Sequence, residues 1–112
     1  MTLRERQSLF LQNIALLIGW AFANGYELTG GELYRTPEQA EIYAKTGMGI
    51  TKSLHRQRLA VDLNLFKNGI FYTDTESHKP LGDYWKSLHP DNRWGGDFKN
   101  RPDGNHYKMK EG

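Results

Sequence analysis

Residues 59–66 read Leu-Ala-Val-Asp-Leu-Asn-Leu-Phe. From Ala60 onward the side chains follow a period of two, the pattern of a β-strand with one buried face. Val61, Leu63 and Leu65 point to one side, and Ala60, Asp62 and Asn64 to the other. If the aliphatic side is buried, Asp62 faces a cleft or solvent. Lys67-Asn68-Gly69 follows as a turn, and Ile70 to Thr73 returns as a hairpin partner.

Upstream, Tyr26 to Tyr34 reads as a second strand, broken or bulged at Gly30-Gly31. Before it, Leu9, Phe10, Ile14, Leu17, Ile18 and Ala21 recur at three- and four-residue spacing and predict an amphipathic helix. Thr2 is its N-cap, with Glu5 three positions on, and Asn24-Gly25 its stop. Thr36-Pro37-Glu38 opens a short helix running through Ala44. Downstream, Pro80 to Leu88 reads as a short helix whose Tyr84 and Trp85 belong in the core. Residues 89–104 read as loop, and His106 to Met109 as a final short strand. The fold class expected is α+β: one domain over residues 1–112, a small antiparallel sheet with flanking helices.

The 112 residues include 38% hydrophobic and 25% charged side chains, enough apolar surface for a modest core and too much for disorder. Fifteen Lys and Arg stand against 13 Asp and Glu, a net charge of +2, which does not mark a nucleic-acid binder. Cysteine is absent, which excludes disulfides, thiolate zinc sites and thiol nucleophiles. The apolar run Ile14 to Phe22 is too short to span a bilayer, and no small-residue cleavage site follows it. The expectation is a monomer made in the cytoplasm without a signal peptide, with no membrane insertion.

His55 lies just before the Asp62 strand, and His106 opens the last strand. Two imidazoles and a carboxylate can then converge on one cation, a set that suits catalytic zinc with its fourth position open to water. Such a site retains about one positive charge, so a bound water loses its proton near neutral pH. Asp103, three positions before His106, can act as general base and pass that proton to a leaving amine. Arg35 is a candidate for stabilising the oxyanion. The plainer readings are surface or hydrogen-bonded histidines, Asp62 paired with Arg58, Asp103 as a Pro-Asp-Gly turn residue, and Arg35 paired with Glu38. Ser53 caps its loop or touches substrate, and Trp94 walls the cleft or joins the core. His78 and His89, in Ser-His-Lys-Pro and Leu-His-Pro contexts, read as solvated.

Ser53 to Asp62, Ser-Leu-His-Arg-Gln-Arg-Leu-Ala-Val-Asp, resembles the S-x-H-x6-D motif of the VanY-like D-alanyl-D-alanine carboxypeptidase zinc peptidases. Asp103-Gly104-Asn105-His106 resembles their second motif, and Tyr34-Arg35-Thr36 the segment with their substrate-polarising arginine. Trp94-Gly95-Gly96-Asp97-Phe98 resembles a stretch of the phage-type branch, the L-alanyl-D-glutamate endopeptidase endolysins. The resemblance implies a hedgehog/D-Ala-D-Ala-peptidase-like fold, Zn2+ held by His55, Asp62 and His106, and Asp103 as base. It implies Arg35 as the transition-state arginine, peptidoglycan stem peptide as substrate, and action on the cell wall after release. A catalytically silent wall-binding or virion module is the alternative. Two departures stand out. Arg58 occupies a position where many members carry Gly, and Asp103 one where several carry the longer Glu.

Overall fold

The computed structural model describes residues 1–31 and 58–110. The helix expected over 36–44, the strand beyond residue 31, Arg35, Ser53 and His55 lie outside the described residues.

The first helix, α1 (Leu3–Ala23), begins as its sequence dictates. Thr2 Oγ1 accepts from the Glu5 amide and Glu5 Oε1 from the Thr2 amide, both at 3.1 Å, a reciprocal capping box. The helix buries Phe10, Asn13, Ile14, Leu17 and Ala21, with Leu9 and Ile18 packed at the edge of the stripe. Among the described residues, no helix is long and apolar enough to cross a membrane.

Strand β1 (Glu27–Gly30) pairs antiparallel with β2 (Ala60–Lys67), Gly30 lying opposite Leu63. Gly31 continues the ladder by donating to the Asp62 carbonyl at 2.8 Å. A Cβ at Gly31 would lie 2.8 Å from that oxygen, so the close approach requires glycine. Along β2, Val61, Leu63 and Leu65 are buried, while Asp62, Asn64 and Phe66 are half-buried, as the alternation requires. Asn68 and Gly69, at φ 53° and 77°, make the hairpin turn to β3 (Ile70–Tyr72). The last strand, β5 (His106–Met109), pairs with the start of β2, and β4 (Asn92–Trp94) pairs with the outer side of β5. The sheet order is β1-β2-β5-β4, with β3 also on β2.

The second described helix, α2 (Thr75–Leu88), starts before the Pro80 expected to open it. Asp74 caps it, accepting from the Ser77 amide at 2.9 Å and the Ser77 hydroxyl at 2.7 Å. Pro80 therefore sits inside the helix and deletes one backbone bond. That loss is offset by burial of His78, Leu81, Gly82 and Trp85 on the face turned to the sheet. The stretch read as loop holds β4 and a 3₁₀ turn (Gly95–Asp97). Strand β4 is too short to show a period.

Trp85 centres the core. Its ring meets Phe10 edge-on at 5.6 Å and Tyr107 edge-on at 6.1 Å. Its indole N–H reaches the Arg93 carbonyl at 3.0 Å and the Lys108 carbonyl at 3.2 Å, tying α2 to β4 and β5. Trp94 lies between glycines: a Cβ on Gly82 or on Gly96 would fall on its indole ring. Gly82→Ala is therefore expected to destabilise the protein by about 1–3 kcal/mol through overpacking. A thermal melt should show Tm lower by about 4 °C or more. Gly19→Ala, where nothing lies within 4 Å of the added methyl, should leave Tm unchanged or raise it.

Candidate active site

Antiparallel pairing of β2 with β5 sets Asp62 directly opposite His106. Both side chains stand on the face that β2 does not give to the aliphatic core. His106 Nδ1 lies 2.9 Å from Asp62 Oδ1, the side chains 13% and 22% exposed respectively. Two lone pairs at that distance would repel, so a proton or a cation belongs between them. The Phe98 ring packs against the imidazole at 5.8 Å, and Lys108 Nζ covers Phe98 at 4.9 Å.

Asp103 reaches the pair from the loop before β5. Its amide donates to the Gly95 carbonyl at 2.9 Å, and its carbonyl accepts from the His106 amide at 3.2 Å. A Cβ at Gly95 would collide with the Asp103 carbonyl, so the loop can close onto the 3₁₀ turn only over a glycine. The Asn105 carbonyl accepts from the Leu63 amide at 2.8 Å, fixing the loop to β2. As a result, ligand-type atoms of Asp62, Asp103 and His106 all lie within 4.8 Å of one another. The donor set, two carboxylates and one imidazole with no thiolate, fits a divalent cation of borderline hardness. A cation taking both His106 and Asp62 would displace the proton they share.

The sequence-predicted residues fall into three groups. Asp62, Asp103 and His106 are brought together. His55, Ser53 and Arg35 lie outside the described residues. Trp94, read as walling the cleft and binding substrate or as joining the core, is buried: it is 4% exposed and donates its indole N–H to the Gly104 carbonyl at 2.7 Å. It supports the Asp103 loop from behind, where a substrate has little of the ring to touch.

Two features escape a reading of the sequence alone or are altered by the structure. Arg58 adopts φ 58°, the left-handed conformation that glycine reaches without strain and that Arg resists. His78, read as solvated, is 2% exposed. It lines a cavity of about 110 Å³ together with Asp103, Asn64, Tyr72 and Asn105. Burial pushes its pKa below the usual histidine range, opposed by its bond to the Tyr72 carbonyl and the charges of Asp74 and Asp103. Only the spacing of His78 from Leu81 and Trp85 on one helix face hints at this.

Known proteins share this architecture. The structure is similar to the L-Ala D-Glu endopeptidase ChiX of Serratia marcescens, with TM-score 0.77 and 17% identity over 90% of this chain and 77% of that one. It is also similar to a vancomycin-resistance D,D-pentapeptidase, VanY from a VanB-type cassette, solved as a mutant with Zn(II). That match has TM-score 0.60 and 22% identity over 93% of this chain and 70% of the other. No curated protein sequence matches the chain at a significant level. Residues 46–109, more than half of the sequence, match the family described as D-alanyl-D-alanine carboxypeptidase. The chain therefore belongs to the D-alanyl-D-alanine carboxypeptidase family of peptidases.

Proposed function

We propose that this protein is a zinc peptidase of peptidoglycan stem peptides and serves as a phage endolysin. The observation that carries the peptidase reading is the convergence of Asp62, Asp103 and His106 in a chain of this family. The zinc assignment is supported by that donor set and by the Zn(II) complex of the similar pentapeptidase. The endolysin role is supported by the Trp94 to Phe98 stretch and by the likeness in fold to the endopeptidase.

Asp62 and His106 would hold the metal, with His55 as the third ligand. When bound, zinc supplies a Lewis acid that polarises the scissile carbonyl and acidifies water. Asp103 is exposed at the mouth of the cluster, where its carboxylate can meet a water molecule approaching the carbonyl carbon. It takes one proton from that water as the new C–O bond forms. It then delivers the proton to the peptide nitrogen as the C–N bond breaks, leaving an amine and a carboxylic acid that loses its remaining proton to solvent. The packed Phe98 ring keeps the His106 imidazole from turning. Arg35 would stabilise the developing oxyanion.

Digestion of purified peptidoglycan should release new amino termini, stop on addition of a chelator, and resume on addition of zinc. Mass spectrometry of the fragments identifies the bond: an L-alanine/D-glutamate cut supports the endolysin role, and a D-alanine/D-alanine cut replaces it with a carboxypeptidase role. Zinc-loaded protein that releases nothing would refute the proposal. Asp103→Asn should lower kcat by about 10²–10⁴ while zinc content stays at the wild-type level. Asp62→Asn should instead lose the zinc itself, with affinity down by more than about 100-fold in competition with a chelating dye.

A further inference from the structure

His78 occupies an unusual position for a polar residue. It is 2% exposed, in the first turns of α2, and its Nε2 lies 3.1 Å from the Tyr72 carbonyl oxygen. That carbonyl can only accept, so Nε2 carries the proton and the neutral ring keeps its lone pair on Nδ1. Nδ1 is buried and has no hydrogen-bond partner among the described residues. An unsatisfied buried acceptor is destabilising, so the position is poorly explained by stability alone.

What lies against His78 is the loop that carries Asp103. A Cβ at Gly104 would sit 3.1 Å from His78 Cβ and 2.8 Å from Thr75 Cα, so the loop backbone rests directly on the start of α2. On its other side the same loop is held by the Trp94 indole N–H on the Gly104 carbonyl and by the Asp103 amide on the Gly95 carbonyl. Asp103-Gly104 is thus gripped between the Trp94–Gly95 corner and the His78 turn. His78 and Asp103 also share the wall of the cavity that Tyr72 and Thr73 close on the β3 side.

We propose that His78 is a positioning residue for Asp103: by bonding the end of β3 and packing under Gly104, it fixes where the Asp103 carboxylate stands above Asp62 and His106. It touches neither substrate nor metal in this role. The proposal rests on the peptidase reading for its kinetic consequence, but the geometric claim stands independently and is tested separately.

Three variants separate the bond from the bulk. His78→Gln keeps an N–H at about the reach of Nε2. His78→Leu fills the volume without a donor. His78→Asn is polar but too short to reach Tyr72, and serves if the leucine variant does not fold. In the zinc-loaded protein, His78→Leu or His78→Asn should lower kcat on a stem peptide by about 10–100-fold with KM within about twofold, as a misplaced catalytic group does. His78→Gln should recover most of the loss, and zinc content should be wild-type in all three. Wild-type kcat in His78→Leu or His78→Asn, or an equal loss in His78→Gln, would overturn the proposal. Hydrogen exchange at the Asp103 amide, measured without substrate, tests the geometry even if the wild type cleaves no stem peptide. Protection there should fall about tenfold or more in the variants that lose the bond to Tyr72 and be restored in His78→Gln, while amides of α1 are unaffected. Unchanged protection would overturn the proposal, whereas inactivity of the wild type would count against the peptidase reading alone.

Discussion

The register between β2 and β5 is the constraint on which the site depends. Pairing Asp62 with His106 puts two side chains from distant parts of the sequence within 2.9 Å without help from a loop. A slip of one residue would turn Asp62 into the aliphatic core and expose Val61. The core therefore guards the site: burying Val61, Leu63 and Leu65 is what keeps Asp62 on the opposite face. The apolar and chemical halves of the strand are enforced by the same periodicity.

Around that pair, Trp85 and Trp94 have separate duties. Trp85 binds α2 to the backbone of β4 and β5, so the strand that carries His106 is held from outside the sheet. Trp94 holds the Gly104 carbonyl and so the loop that carries Asp103. Both indoles satisfy their N–H inside the protein, which lets large rings lie in a small core without an orphaned donor. The glycines at 82, 95 and 96 are the counterpart, since each gives up its side chain to a ring or a carbonyl.

Much of this is legible in the sequence because it is local. The Thr2–Glu5 cap, the α1 stripe, the alternation of β2 and the turn at Asn68-Gly69 all depend on neighbours a few residues away. Strand β4 escapes such a reading because three residues carry no visible period, and its Asn92 is stabilised by a distant bond to the Trp85 carbonyl at 3.0 Å. The start of α2 is misread because Pro80 is a strong local signal, whereas the Asp74 cap and the buried face outweigh it. His78 and Trp94 show the same limit. Their surroundings in sequence are polar or glycine-rich, and only the folded chain brings Gly104 against both. The joint placement of Asp62, Asp103 and His106 follows from motif order, while the positions of His55, Ser53 and Arg35 fall outside the described residues.

The most direct measurement is the anomalous scattering of zinc-loaded crystals across the zinc absorption edge. One strong site is expected, bonded to both the Asp62 carboxylate and the His106 imidazole, with metal–ligand distances of about 2.0–2.2 Å. No peak between those two side chains, or a zinc ion bound elsewhere on the protein while they remain hydrogen-bonded to each other, would contradict the zinc site proposed for this fold.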